Sequence, residues 1–232
     1  MKKIALIFGS TCLLLVSVVS LHAQKTSSAI IKAGVNFANV SVEDDGDIDD
    51  AKMLTSFQVG IIGDFNLAPF LALQPGLIFT GKGSKTQSGD PGDASWYRAT
   101  SNPYYLEVPV NLVFKTQGPV RFFAGAGPYL AMGVGGKNKT DGEVLGASFH
   151  SEDNIEWSND DPTTLDYEED AGFGIMKRFD YGLNVLAGIE VSNLVLSANY
   201  GLGLAKLQSG SNSSEDNNNK HRVFSLTAGF KF

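Results

Sequence analysis

The last ten residues, VFSLTAGFKF (223–232), divide by parity into two unlike sets. Phe224, Leu226, Ala228, Phe230 and Phe232 are all apolar, whereas Ser225, Thr227, Gly229 and Lys231 fill the other set. Alternation with period two is the signature of a strand with one oily face and one that is not. The fold turns on which medium the Phe/Leu face meets, a protein core or a lipid bilayer.

The same pattern recurs upstream in segments of roughly ten residues, and no stretch carries convincing helical periodicity. Eight such segments are read, at about 29–39, 55–66, 70–82, 104–115, 120–132, 178–191, 194–205 and 223–232. In YLEVPVNLVFK (105–115), Leu106, Val108, Val110, Leu112 and Phe114 oppose Glu107, Pro109, Asn111, Val113 and Lys115. In the sixth segment Phe179, Tyr181, Leu183, Val185, Ala187 and Ile189 oppose Asp180, Gly182, Asn184, Gly188 and Glu190.

The joins between segments alternate in length. NLAP (66–69), TQGP (116–119) and SN (192–193) are tight turns, whereas 40–54, 83–103, 133–177 and 206–222 are long and polar. If consecutive strands pair antiparallel, every short turn falls at one end and every long connection at the other. That asymmetry, an even strand count and strands of bilayer-crossing length are the layout of an outer-membrane barrel, with short periplasmic turns and long extracellular loops. Aromatics fall into two bands: Phe65, Phe70, Phe114, Phe122 and Phe232 toward the short turns, and Phe37, Phe79, Tyr104, Phe179, Tyr181 and Phe224 toward the long loops.

The N-terminus agrees with export. Met1-Lys2-Lys3, an apolar run and LHAQ read as a secretory signal peptide over 1–23, leaving one barrel domain over 24–232. Cys12 is the single cysteine and would leave with that segment, so the mature chain is expected to have neither a disulfide nor a Cys metal ligand. The formal charge of −7 becomes −9 once Lys2 and Lys3 are removed, which argues against a nucleic-acid partner.

The stretches IIKAGVNFANV, LALQPGLIFTGKG, YYLEVPVNLVFK, RFFAGAGPYLAMG, FDYGLNVLAGIEV, LSANYGLGLAKL and VFSLTAGFKF resemble the PorT-like outer-membrane β-barrel family common in Bacteroidota. The resemblance implies an all-β, eight-stranded up-and-down barrel in the outer membrane of a Gram-negative cell, porin-like in the loose sense. It also implies that the terminal aromatic strand is read by the barrel assembly machinery. Some members of the family are associated with type IX secretion, but no motif places this chain among them.

An eight-stranded barrel has an interior that side chains fill. Lys32, Asp64, Glu107, Lys115, Arg121, Asp180, Glu190 and Lys231 are expected to point inward and pair as a polar network, while Phe224, Leu226, Phe230 and Phe232 face lipid. No catalytic residues are assigned: the mature histidines, His150 and His221, fall in segments read as loops, and no nucleophile-elbow sequence accompanies either. No cofactor is expected. The loops carry aromatic candidates for a ligand or partner, Trp96, Tyr97, Trp157 and Tyr167, which could equally fold down over the barrel mouth. Acid-rich EDDGDIDD (43–50) offers Asp45, Asp47 and Asp49 as weak calcium candidates, without the spacing of a calcium loop.

The expected function is a monomeric, non-enzymatic structural or interaction barrel, with outer-membrane lipid and lipopolysaccharide as surroundings and an unidentified extracellular ligand or protein as partner. Two alternatives stay open: a narrow pore for small solutes, and a secreted lipocalin-like barrel with an apolar ligand inside.

Overall fold

A computed structural model describes residues 27–41, 51–164, 175–207 and 219–232. The segment read as a signal peptide lies outside the described residues, as do Asp45, Asp47, Asp49 and Tyr167. Eight long strands dominate: β1 (Ser27–Ser41), β2 (Leu54–Ala68), β3 (Leu71–Gly81), β4 (Ser95–Lys115), β5 (Val120–Val144), β6 (Phe179–Val191), β7 (Leu194–Gly203) and β8 (Lys220–Lys231). Each pairs antiparallel with the next in sequence, and β8 returns to β1, so the eight form a closed ring.

The closing seam runs from Ile30 opposite Lys231 to Ser41 opposite Lys220. The final residue takes part in it, because Ala29 and Phe232 exchange backbone hydrogen bonds of 3.1 and 3.0 Å. Closure leaves these strands no free edge, the condition that backbone amides must meet where no water can reach them.

Parity sorts the side chains as the pleat requires. Inward positions are buried and largely polar, including Asn36, Gln58, Asp64, Gln74, Glu107, Asn111, Asp180, Glu190, Ser225 and Thr227. Outward positions are large and apolar yet exposed: Ile61 is 55% accessible, Phe114 55%, Phe122 60% and Phe230 54%. Phe224, Leu226 and Phe232 are on this outward face too. Such a continuous apolar exterior far exceeds the patches that a water-soluble monomer exposes.

Three connections are tight: Pro69–Phe70, Thr116–Pro119 and Ser192–Asn193. The long ones differ from the expectation of plain loops. Residues 95–103 and 133–144 extend β4 and β5 to 21 and 25 residues, well past the roughly ten that cross a hydrocarbon layer. A two-residue turn at Leu145–Gly146, with both φ positive (51° and 84°), then adds Ala147–Asn154 alongside β5. On the other side Ser84–Ser88 pairs with β4. The result is a twisted sheet rising from the ring at its long-connection end.

A bulge marks where this sheet leaves the ring. Tyr105 pairs with Gly133 but Tyr104 pairs with Gly135, so Val134 is an extra residue in β5. One extra residue inverts the parity of everything beyond it. Lys137 and Lys139, which share odd numbering with the inward Tyr129 and Ala131, therefore end on the outward face that carries Tyr104.

Candidate functional site in the ring interior

The inward charges gather into two clusters. At the short-turn end Asp64 of β2 is fully buried and holds Lys115 of β4 at 2.6 Å and Lys231 of β8 at 2.7 Å. Gln74 of β3 donates to the same carboxylate at 3.0 Å. Glu190 of β6 receives Lys231 at 2.8 Å and Arg121 of β5 at 2.9 Å, with Lys115 at 3.9 Å. Two carboxylates and three cations thus tie together five of the eight strands, and Gln74 adds a sixth. Arg121 is the outermost member, its side chain 46% exposed.

At the long-connection end the organising residue is Lys82, one position beyond β3. Its ammonium lies 2.7 Å from Glu107 and 2.9 Å from Asp180, and sits over the Tyr129 ring, 4.0 Å from the centroid. The Tyr129 hydroxyl donates to Asp180 at 3.1 Å and the Asn184 amide to Glu107 at 3.1 Å. Buried charges persist only when paired and hydrogen-bonded, and each group here has both.

An aromatic layer caps this second cluster. Trp157 meets Tyr105 edge-on at 5.4 Å, and His221 also meets Tyr105 edge-on at 5.4 Å, its Nε2 3.3 Å from the Tyr105 hydroxyl. The indole rests on Gly133, where any Cβ would come within 2.3 Å of the ring. Trp157 is held there by a short parallel pairing of Glu156–Ser158 with Ile175–Lys177.

Between the clusters lies a cavity of about 40 Å³, lined by Lys32, Lys82, Glu107, Asn111, Tyr129 and Asn184 among others. It has room for a few waters at most.

Of the eight expected interior charges, seven join these ion pairs. Lys32 makes none among the described residues and lines the central cavity, as Glu107 does. Sequence reading missed Lys82, Tyr105, Tyr129 and His221. The parity that places Gln74, Ile78 and Thr80 inward continues to Lys82, and that of Val223 and Ser225 reaches back to His221, so the signal was present. Both histidines need correction. His221 is 1% exposed within β8 and not in a loop, and His150 lies on the added strand, paired with Asp141 at 2.6 Å.

Of the aromatic candidates, Trp157 folds inward over the mouth. Trp96 is half-buried, with the Arg98 guanidinium 5.8 Å from its ring, and Tyr97 is exposed on the projecting sheet. The interior is not the apolar chamber that the lipocalin-like alternative expects: among the described residues its cavity is about 40 Å³, with Lys32, Lys82, Glu107 and Asn111 lining it beside Ile78, Leu186 and Val223. Among the described residues no cluster of His, Asp and Glu could hold a metal ion.

No curated protein has significant similarity to the chain. Ail of Yersinia pestis, the attachment invasion locus protein, solved in complex with the heparin analogue sucrose octasulfate, is similar at 17% identity. The match covers 89% of this chain and 99% of that one, with a TM-score of 0.40. Neisserial surface protein A is 16% identical over 89% of this chain and 98% of that one, TM-score 0.42. OprG from Pseudomonas aeruginosa is 10% identical over 89% and 95%, TM-score 0.40. With TM-scores below 0.5, none of these bears on what the chain does. A sequence profile is more direct: the family described as "Outer membrane protein beta-barrel domain" matches residues 22–209, ending before the strand that closes the ring. The chain belongs to the outer membrane protein beta-barrel domain family.

Proposed function

We propose that the protein is a non-enzymatic, non-conducting transmembrane barrel that serves as an anchored scaffold. Its working surface is the projecting sheet formed by β4, β5 and residues 147–154. The observation that carries this reading is the filled interior: among the described residues, two ion-paired clusters and the Trp157 layer enclose a cavity of about 40 Å³. The outward apolar band meets lipid, the short turns face the periplasm, and the projecting sheet faces the exterior, where a ligand or protein partner would meet it.

Orientation is tested with single cysteines, introduced into a chain whose one natural cysteine, Cys12, falls in the segment read as a signal peptide. On intact cells S148C is expected to react with a membrane-impermeant maleimide and T116C to react only after lysis. The reverse pattern overturns the orientation. Equal labelling of both sites in a detergent-free soluble fraction overturns membrane insertion.

A further inference from the structure

A second polar site lies outside the interior, on the outward face of the projecting sheet. A cleft of about 470 Å³ is lined there by Thr100, Asn102, Tyr104, Lys137, Lys139 and Asn154. The register explains its charge. Thr100 is flanked by Lys85 on one strand and Lys139 on the other, and Asn102 is opposite Lys137, which is itself opposite Asn154. Directly opposite residues share a face, so three lysines surround one threonine.

Part of this charge is already engaged. Glu152 reaches Lys137 with one oxygen and Lys139 with the other, the latter at 2.7 Å. Each ammonium has three donors, so the Glu152 contact does not exhaust it. Asp141, further along the face, is taken by His150. Lys85 has no ion pair among the described residues. The floor is aromatic: Tyr104 stacks on Phe79 at 5.5 Å and lies 6.0 Å from Phe57. Below these rings the exterior is apolar, with Val59, Ile61 and Val108 exposed. A cationic cleft therefore begins where the apolar band ends, in a chain whose net charge is −7.

We infer that this cleft holds the anionic phosphate headgroup of a membrane lipid, with the acyl chains lying along the apolar face beneath Tyr104. An amphiphile matches both halves, whereas a soluble anion would use only the upper one. The inference rests on reading the ring exterior as bilayer-facing, and on the bulge at Val134 that turns Lys137 and Lys139 outward.

The test is native mass spectrometry of the full chain in maltoside micelles, titrated with dioleoyl phosphatidic acid, dioleoyl phosphatidylcholine or inorganic phosphate. Phosphatidic acid is expected to bind most tightly. Each lysine near a headgroup changes affinity by about fivefold, so K85Q/K137Q/K139Q should weaken it on the order of a hundredfold, while K85R/K137R/K139R retains it. Equal phosphatidic acid binding by the glutamine variant overturns the site. Inorganic phosphate binding as tightly as the lipid overturns the lipid assignment. Heat-modifiable gel mobility of every sample reports ring closure separately; its absence in the unaltered protein would instead refute the membrane-barrel reading.

Discussion

Replacing Asp64 with Asn is expected to be the most damaging single change in the interior. The carboxylate has no solvent exposure and receives Lys115 at 2.6 Å, Lys231 at 2.7 Å and Gln74 at 3.0 Å. Without its charge, Lys115 keeps only Glu190, at 3.9 Å, while its side chain is 6% exposed. Lys231 still has Glu190 at 2.8 Å, so the loss falls mainly on Lys115. Breaking a buried pair from one side costs about 3–5 kcal/mol, because the remaining charge is left in a medium that solvates it poorly. The assay is urea unfolding of barrel refolded into phosphatidylcholine vesicles, followed by heat-modifiable mobility and tryptophan emission. Two controls fix the interpretation. Arg121→Gln, whose side chain is 46% exposed, should cost about 1 kcal/mol or less despite its 2.9 Å contact with Glu190. Asp64→Asn combined with Lys115→Met should recover much of the loss, since the stranded charge goes with it. An Asp64→Asn variant within about 1 kcal/mol of the parent would refute the claim that this cluster is dry and energetically coupled.

The aromatic layer can be displaced from below: a methyl at position 133 would come within 2.3 Å of the Trp157 ring, so Gly133→Ala in a Trp96→Phe background should red-shift the remaining emission. It should also cost about 1–3 kcal/mol, whereas unchanged emission would mean the indole does not occupy that seat. Glu152, between Lys137 and Lys139, is held down to about 2, chiefly by the hydrogen bonds from those two ammonium groups. A carboxyl with a lowered folded value contributes above its ordinary range and loses that contribution as pH falls through about 2. Carboxyl NMR should therefore find the Glu152 midpoint near 2, and K137Q/K139Q should return it to the ordinary range; an ordinary midpoint in the unaltered protein would remove the bridge.

Much of this architecture is legible because period-two alternation is a local property. Each residue of 223–232 or 105–115 declares its face without knowledge of its partner strand, and the alternation of short and long joins then orders the ring. What stayed hidden depends on pairing between distant segments. WYRATSNP (96–103) and KNKTDGEV (137–144) have ordinary polar composition, and they form strands because each supplies the other's hydrogen bonds. The bulge at Val134 lies in a glycine-rich run where nothing local sets parity, so the outward turn of Lys137 and Lys139 could not be read. Lys82 is different: its parity was available, but its role depends on Glu107 and Asp180, on strands distant in sequence, reaching the same point. Trp157 likewise stood as either a binding aromatic or a mouth cover until Gly133 and Tyr105 placed it.

The claim of a sealed interior is tested most directly by single-channel recording of the purified full chain in a planar bilayer. With Asp64, Glu190, Lys82 and Trp157 in the positions described, the bilayer is predicted to show no stable conductance steps after insertion is verified by mobility shift. Reproducible, ion-selective steps from the unaltered protein would contradict it.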